Sequence, residues 1–505
     1  MISIENVSFG YTENKNMLEH VTLDIPAGEC ILFCGESGCG KTTVTKLVNG
    51  LIPHFTKIDH MEGSVTVADQ SVTDLEVYEL AKLVGSVFQN PKSQFFHLDT
   101  DGELEFGLEN QGVAPEEIRR AVERTVTQLG IEPLMGRNVF ALSGGEKQML
   151  AFASVYAMNP EIYMLDEPTA NLDEDAIRKL REQIILLKKQ GKTVVIAEHR
   201  LFFLADIIDR AVYIRNGEIK QIFSGEEFQA LSDEERISMG LRTIHQTELR
   251  LKPAGNIEST GGEKIVGSEE ASGSEAASGG GEASEGEEVS GGGEASGSNS
   301  ADSGLCVRDL SCGYKKSPAV FENLSFTAYP GEVLGITGHN GVGKSTLIRC
   351  LCGLLKEKGG SITLNGRILK PKQRQKACYL VMQEVNHQLF SDTVFGECEQ
   401  LGTADPEEIR RVLKHFDLDG YEDVHPMALS GGQKQRLAVA TAVLSGREVL
   451  IFDEPTSGLD YRHMMEVCQI TKQLAKDGRI VLVVSHDKEF MQEACDRLLT
   501  LGGGK

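Results

Sequence analysis

GESGCGKTT, from Gly35 to Thr43, decides how this chain folds, and a near copy, GHNGVGKST, recurs from Gly338 to Thr346. Each follows a short apolar run, CILFC or VLGIT, and each opens a helical pattern, KTTVTKLVNGLI or KSTLIRCLCGLL. A strand, a glycine-rich turn and a helix in that order turn backbone N–H groups toward one point at the positive end of the helix. Such a cradle suits phosphate. In the first copy it comprises Gly35, Glu36, Ser37, Gly38, Cys39, Gly40, Lys41, Thr42 and Thr43. In the second it comprises Gly338, His339, Asn340, Gly341, Val342, Gly343, Lys344, Ser345 and Thr346. Lys41 and Lys344 are expected to neutralise β- and γ-phosphates, and the Thr42 and Ser345 hydroxyls to ligate Mg²⁺.

Working outward, the whole chain repeats. SFGY (Ser8–Tyr11) matches SCGY (Ser311–Tyr314), and LSGGEKQ (Leu142–Gln148) matches LSGGQKQ (Leu429–Gln435). MLDEPTANLD (Met164–Asp173) matches IFDEPTSGLD (Ile451–Asp460), and AEH (Ala197–His199) matches VSH (Val484–His486). The two lysines are 303 residues apart, whereas Asp166 to Asp453 and His199 to His486 are 287 apart, so the middle of the second copy is sixteen residues shorter. Length changes collect in loops or where partners differ. Apolar runs ending in polar residues, such as EIYMLDE, KTVVIAEH, EVLIFDE and RIVLVVSH, read as buried strands of a parallel sheet. Each copy is therefore expected to be an α/β domain.

Between the copies the chain is Gly, Ser, Ala and Glu almost throughout. Residues 254–304 hold ten Glu and one Asp against one Lys. Without apolar periodicity this stretch cannot offset its ordering entropy, so a disordered linker is expected. It would span about 40 Å on average, from roughly 5–6 Å times the square root of residue number. The expected division is a first domain over 1–225, a polar helical extension over 226–253, this linker over 254–304, and a second domain over 305–505.

The charge of −24 argues against nucleic acid or anionic lipid as a general partner. No apolar run approaches the roughly eighteen residues needed to cross a bilayer, and no signal-peptide pattern opens the chain. Direct membrane insertion is not expected, and a cytoplasmic location is. The eleven cysteines contain no CxxC pair, so buried reduced thiols are expected rather than zinc. Cys39, inside the first glycine loop, is expected to be a small residue serving only its backbone; a thiol with lowered pKa beside Lys41, open to oxidation, is the alternative.

An Asp ending a strand can hold the shell of a divalent cation, and an adjacent Glu can orient an attacking water. Asp166–Glu167 and Asp453–Glu454 fit that pattern. Ser-Gly-Gly opening a helix, at Ser143, Gly144 and Gly145 and again at Ser430, Gly431 and Gly432, supplies a hydroxyl and open N–H groups for an anion. These motifs resemble those of the ABC ATPases, in the order of that family: Tyr11 and Tyr314, the glycine loops, Gln89 and Gln383, the Ser-Gly-Gly signatures, the Asp-Glu pairs, Asp173 and Asp460, and His199 and His486.

The resemblance implies two P-loop NTPase domains, each with a RecA-like α/β core, an antiparallel β subdomain and a helical signature subdomain. It implies head-to-tail pairing, with each P-loop facing the other copy's signature and ATP and Mg²⁺ between. Tyr11 and Tyr314 would stack on adenine, Gln89 and Gln383 would join Thr42, Asp166, Ser345 and Asp453 around the metal, and Glu167, Glu454, His199 and His486 would be catalytic. Both sites retain these residues, so both are expected to hydrolyse ATP.

FQNPKSQFFHLDTDGELEFGLEN (Phe88–Asn110) and MQEVNHQLFSDTVFGE (Met382–Glu397) resemble the ATPase subunits of energy-coupling factor transporters, importers of vitamins and metals. That implies a peripheral position on the inner face of the cell membrane, a transmembrane coupling subunit and a separate substrate-binding membrane subunit. Phe95, Phe96, Leu389 and Phe390 would line the docking grooves, with Glu103, Glu105 and Glu397 available to basic partner residues. The FFHLDTDGE run departs from that family's usual pattern. A monosaccharide-importer ATPase would predict a degraded site and no long linker, and a ribosome-associated ABC protein would predict charged helical connections.

Overall fold

The computed structural model describes residues 1–11, 17–56, 60–170, 172–254, 303–314, 318–400 and 405–502. In the first half, continuous apolar runs form the core sheet, in the order Glu218–Ser224, Arg210–Arg215, Cys30–Cys34, Thr193–Ala197, Ile162–Asp166 and Val84–Val87. The last five strands are parallel and the first pairs antiparallel with its neighbour. Ile31, Leu32, Phe33, Val194, Val195 and Ile196 are fully buried. Helices cover both faces of such a sheet, so no polar alternation survives. Each fully buried side chain of this kind contributes roughly 1.5–3 kcal/mol.

A second, antiparallel sheet, Leu18–Ile25, Ile2–Gly10, His60–Val67 and Gln70–Ser71, packs beside it. The helical subdomain holds Thr100–Asn110, Pro115–Leu129 and Gly144–Met158. The second half repeats the plan with core strands Arg497–Thr500, Val333–Thr337, Ile480–Val484, Val449–Asp453 and Cys378–Val381. Its antiparallel sheet holds Phe321–Ala328, Leu305–Cys312, Gly359–Leu364 and Arg367–Ile368. Its corresponding helices are Val394–Glu399, Pro406–His415 and Gly431–Leu444. The first two are shorter than their counterparts, in the stretch from glutamine to signature that lacks seven of the sixteen residues; the other nine are lost between the lysine and the glutamine.

The stretch over 226–253 is not the helical extension expected. Two short helices, Gly225–Gln229 and Asp233–Ser238, are each started by a serine capping box, Ser224 with Glu227 and Ser232 with Glu235. Gly240, at a φ of 70°, ends the helical part. The chain then runs extended over the second half, where Lys252–Pro253 pairs in parallel with Arg497–Thr500. The Ala254 N–H donates to the Leu498 carbonyl at 2.8 Å, and Ala254 is buried. At the other boundary the Gly304 N–H donates to Asn365 Oδ1 at 3.0 Å. Both ends assigned to the linker are thus tied into the second half, while the rest of the disordered stretch expected lies outside the described residues. Each core sheet has a strand at the same edge, but the first half supplies its own and the second takes one from the segment that follows the first half.

Candidate active site

Gly35–Gly40 joins the strand Cys30–Cys34 to the helix Lys41–Val48, and Gly338–Gly343 joins Val333–Thr337 to Lys344–Leu351. The last glycines, Gly40 and Gly343, cap those helices at φ near 112° and 109°, a conformation that a side chain would resist. Lys41 Nζ donates to the carbonyls of Gly35 and Glu36 at 2.9 and 3.0 Å, and Lys344 Nζ to those of Gly338 and His339 at 2.7 and 3.1 Å. Both ammonium groups therefore arch back over their own loops. Thr42 Oγ1 donates to Asp166 Oδ1 at 3.1 Å. Burial, and then the neighbouring Glu167 charge, push the Asp166 carboxyl up to about 6; burial raises Asp453 to a similar value against the pull of Lys344.

Glu167 and Glu454 end their strands with φ of 45° and 49°, left-handed for a non-glycine residue. Strain of this kind, about 1–3 kcal/mol, persists where the surroundings fix it. The surroundings are hydrogen bonds: the Glu167 N–H donates to Ala197 O and the Glu454 N–H to Val484 O, each at 2.8 Å. Gln89 Nε2 donates to Glu167 Oε2 at 2.5 Å, and His199 Nε2 lies 3.5 Å from its other oxygen. Glu454 instead accepts from Ser485 Oγ at 2.8 Å and from the His486 N–H at 3.1 Å. His486 Nε2 is buried with no hydrogen-bond partner among the described residues.

The halves cross-contact at these loops. Ser37 N–H donates to Asp460 Oδ2 at 2.6 Å, and Asn340 N–H to Asp173 Oδ2 at 3.1 Å. Ser457 Oγ bonds the Ala170 carbonyl, and Lys92 pairs with Glu384. A cavity of about 1200 Å³ is lined by Tyr11, Ser37, Lys41, Thr42, Gln89, Glu167 and His199 from the first half and by Ser430, Gly431 and Gly432 from the second. Ser143 and Gly144 line its far part, beside Asn340 and Gly341, and Gly145 lines an adjoining groove with Asn340. A second cavity, about 340 Å³, gathers Tyr314, Lys344, Ser345, Thr346, Gln383, Asp453, Glu454 and His486 with Ala170, Leu172 and Arg200 of the other half. Gly35, Cys39 and Val342 stay behind the cavity walls, and Gly338 with His339 borders a shallower groove.

Tyr11 and Tyr314 are partly exposed; Tyr11 meets Phe9 edge-on with ring centroids 4.9 Å apart, and Arg349 Nη1 donates to Tyr314 OH at 3.1 Å. Ser143 and Ser430 cap the signature helices, accepting from the Glu146 and Gln433 N–H groups at 3.3 and 3.4 Å. Those bonds are long, so the hydroxyls can turn to a ligand.

Two expectations are corrected. Glu103 and Glu397 are not open to a partner: each is buried, and its Oε2 accepts two N–H groups, from Phe96 and His97 or from Phe390 and Ser391, all within 2.7–2.9 Å. They brace the turns after the glutamines. Leu389 is core, at 5% exposure, whereas Phe96 and Phe390 stand out at 72% and 77%. Cys39 is buried, and burial raises its thiol pKa despite Lys41 Nζ 3.8 Å away, which favours the small residue serving its backbone over the reactive thiol. Reading the sequence missed Arg200, Arg242 and Ser485. For Arg200, comparing AEHR with VSHD was an available signal.

A model of the ABC transporter family matches residues 18–170 and 321–457. A Treponema denticola protein named as an ABC transporter ATP-binding protein is 43% identical over 513 residues, covering 100% of this chain and 96% of its own. YkoD of Bacillus subtilis, named for HMP/thiamine import ATP binding, is 31% identical over 530 residues, covering 99% of this chain and 90% of its own. ABCE1 in a ribosome-bound archaeal assembly with Pelota superposes with a TM-score of 0.65 at 21% identity, over 99% of this chain and 76% of its own, a likeness of fold alone. Among the described residues no helix is long and apolar enough to cross a membrane. With two matched domains, a relative of the same length and the crossed phosphate loops, this chain belongs to the ABC transporter family, as a tandem ATP-binding protein whose ATPase activity is coupled to transport.

Proposed function

We propose that this chain energises an importer of the energy-coupling factor type, working as an intramolecular head-to-tail pair with two composite ATP sites. The observation that carries it is the crossed pair of bonds from Asp460 to Ser37 and from Asp173 to Asn340. Site one joins Gly35–Thr43, Gln89, Asp166, Glu167 and His199 to Ser430, Gly431 and Gly432. Site two joins Gly338–Thr346, Gln383, Asp453, Glu454 and His486 to Ser143, Gly144 and Gly145.

In each site the glycine-loop N–H groups and the lysine hold the triphosphate, and the tyrosine takes adenine. Thr42 with Asp166, and Ser345 with Asp453, fit the oxygen donors that Mg²⁺ favours, with Gln89 and Gln383 beside them. Burial raises the Asp166 and Asp453 carboxyls, and a cation beside them would favour their charged forms. When bound, the ion draws charge from the phosphate oxygens. Glu167 and Glu454 orient the attacking water, and His199 and His486 meet the terminal phosphate. His486 Nε2, buried without a hydrogen bond and 3.9 Å from Glu454 Oε1, suits that role. Closure of the halves on ATP and release after hydrolysis form the power stroke.

Import is supported by the two turns after the glutamines, which display Phe96 and Phe390 on rigid glutamate-braced loops, and by likeness to YkoD. The phenylalanines suit apolar ends of helices from a transmembrane coupling subunit, a separate membrane subunit binding the solute. The chain would then sit peripherally on the inner face of the cell membrane. Phe96→Glu with Phe390→Glu is expected to abolish co-purification with that subunit while the isolated chain still hydrolyses ATP. Undiminished co-purification would sink the docking assignment.

A further inference from the structure

The two switch segments are chemically opposite. The second half has Ser485, His486 and Asp487, where the first has Glu198, His199 and Arg200. Asp487 is fully engaged: it accepts from Thr456 Oγ1 at 3.0 Å and twice from Arg242 Nη2 at 2.6 Å. At the matching place Thr169 Oγ1 is buried and without a partner among the described residues, because position 200 carries no acceptor. Glu198 turns inward, accepting from the Thr169, His199 and Arg200 N–H groups.

The Arg200 side chain leaves its own site. It is only 7% exposed, yet its guanidinium has no carboxylate within ion-pair distance among the described residues. Its one bond runs to the Leu172 carbonyl, at a long 3.4 Å. It borders the smaller cavity together with Lys344, Ser345, Glu454 and His486, all of the other half. The charges of Glu454 and Asp487 reach the guanidinium without a salt bridge, and its planar fork matches phosphate oxygens. The cavity of site one has guanidinium groups of its own from the second half, Arg436, bonded to the Phe416 carbonyl, and Arg462, paired with Asp417 and Glu466, but none at the position that matches Arg200. Asp487, the counterpart there, is closed off by Arg242 and lies outside the large cavity.

We propose that Arg200 of the first half is a ligand, in trans, for the terminal phosphate of ATP at site two, so that site two reads the state of the first half's switch directly. This rests on the composite-site reading above. The guanidinium bonds the γ-phosphate only when the halves are closed, and ADP offers it nothing.

Calorimetric titration of chains restricted to one site tests this. Lys41→Ala leaves site two, and Lys344→Ala leaves site one. Adding Arg200→Ala to the Lys41→Ala chain is expected to weaken ATP about tenfold or more, as for a bond between charged groups, and ADP less than twofold. Arg200→Lys should recover part of the loss, and Arg200→Met replaces Ala if melting shows misfolding. Added to the Lys344→Ala chain, Arg200→Ala should change ATP affinity less than twofold. Equal losses of ATP and ADP, an equal loss at site one, or no loss at site two would overturn the proposal and leave Arg200 a brace for Leu172. If either lysine variant still binds two ATP molecules, the composite-site reading fails instead, which is a different result.

Discussion

The two nucleotide sites carry the same motif residues and differ in almost everything that surrounds them. A cavity of about 1200 Å³ opens on the first glycine loop and runs on to Asn340 and Gly341 of the second, beside which lies a further cavity of about 340 Å³. Burial works against the charged form of Glu167, but the His199 contact, with the charges of His199 and Lys41, outweighs it and holds that carboxyl below its usual range. Burial dominates at Glu454 and pushes it up to about 7, with Arg200, Ser485 and the His486 N–H opposing. The lesson is that retained motifs do not make equivalent sites. The neighbours of the switch histidine, Glu198 and Arg200 against Ser485 and Asp487, set the field that each glutamate feels.

The largest effect that would break this comparison concerns the glutamates. Glu167→Gln with Glu454→Gln together should lower ATP turnover by roughly 10²–10⁴-fold, the range for losing a positioned base. Each single change should lower it measurably, because both sites are proposed to hydrolyse. A wild-type rate in either single variant would make one site silent.

A smaller effect sharpens it. Arg242 reaches from the extended segment after the first half to Asp487 and Glu489, and donates to the Leu459 carbonyl at 3.3 Å, as Arg200 does to Leu172. Arg242→Ala takes the ion pair from the buried Asp487, whereas Glu489 keeps Arg236, and should destabilise the second half by about 3 kcal/mol. Burial would raise the Asp487 carboxyl, but the Arg242 and Arg200 charges and Arg242's bonds hold it down at about 2. A carboxyl depressed on folding stabilises above its unfolded pKa, about 3.9, and that contribution fades as pH falls toward 2. Thermal melts from pH 6 to 2.5 should show this acid-sensitive loss in the parent chain and a weaker one in Arg242→Ala. Parallel curves would remove Arg242 from the account.

The sequence made the core legible because its determinants are contiguous: an apolar run, a glycine loop and a helix opening lie within one stretch, and each was repeated. What escaped was set by contacts between distant segments. Lys252–Pro253 has no strand periodicity of its own and becomes a strand only at the open edge beside Arg497–Thr500. Glu103 sits among polar helix residues and looks solvated until the turn at Phe96 and His97 folds two N–H groups onto it. Arg242 and Asp487 meet across 245 residues, beyond any local pattern.

The crossed clamp is tested most directly by ATP binding to the chain carrying Lys344→Ala, in which only the first P-loop is competent. Ser430→Arg, in the opposite half, should then weaken ATP binding about tenfold or more, on the scale of a charged hydrogen bond lost, while Ser143→Arg should leave it nearly unchanged. The reverse pattern, with Ser143→Arg damaging and Ser430→Arg silent, would mean that each half completes its own pocket.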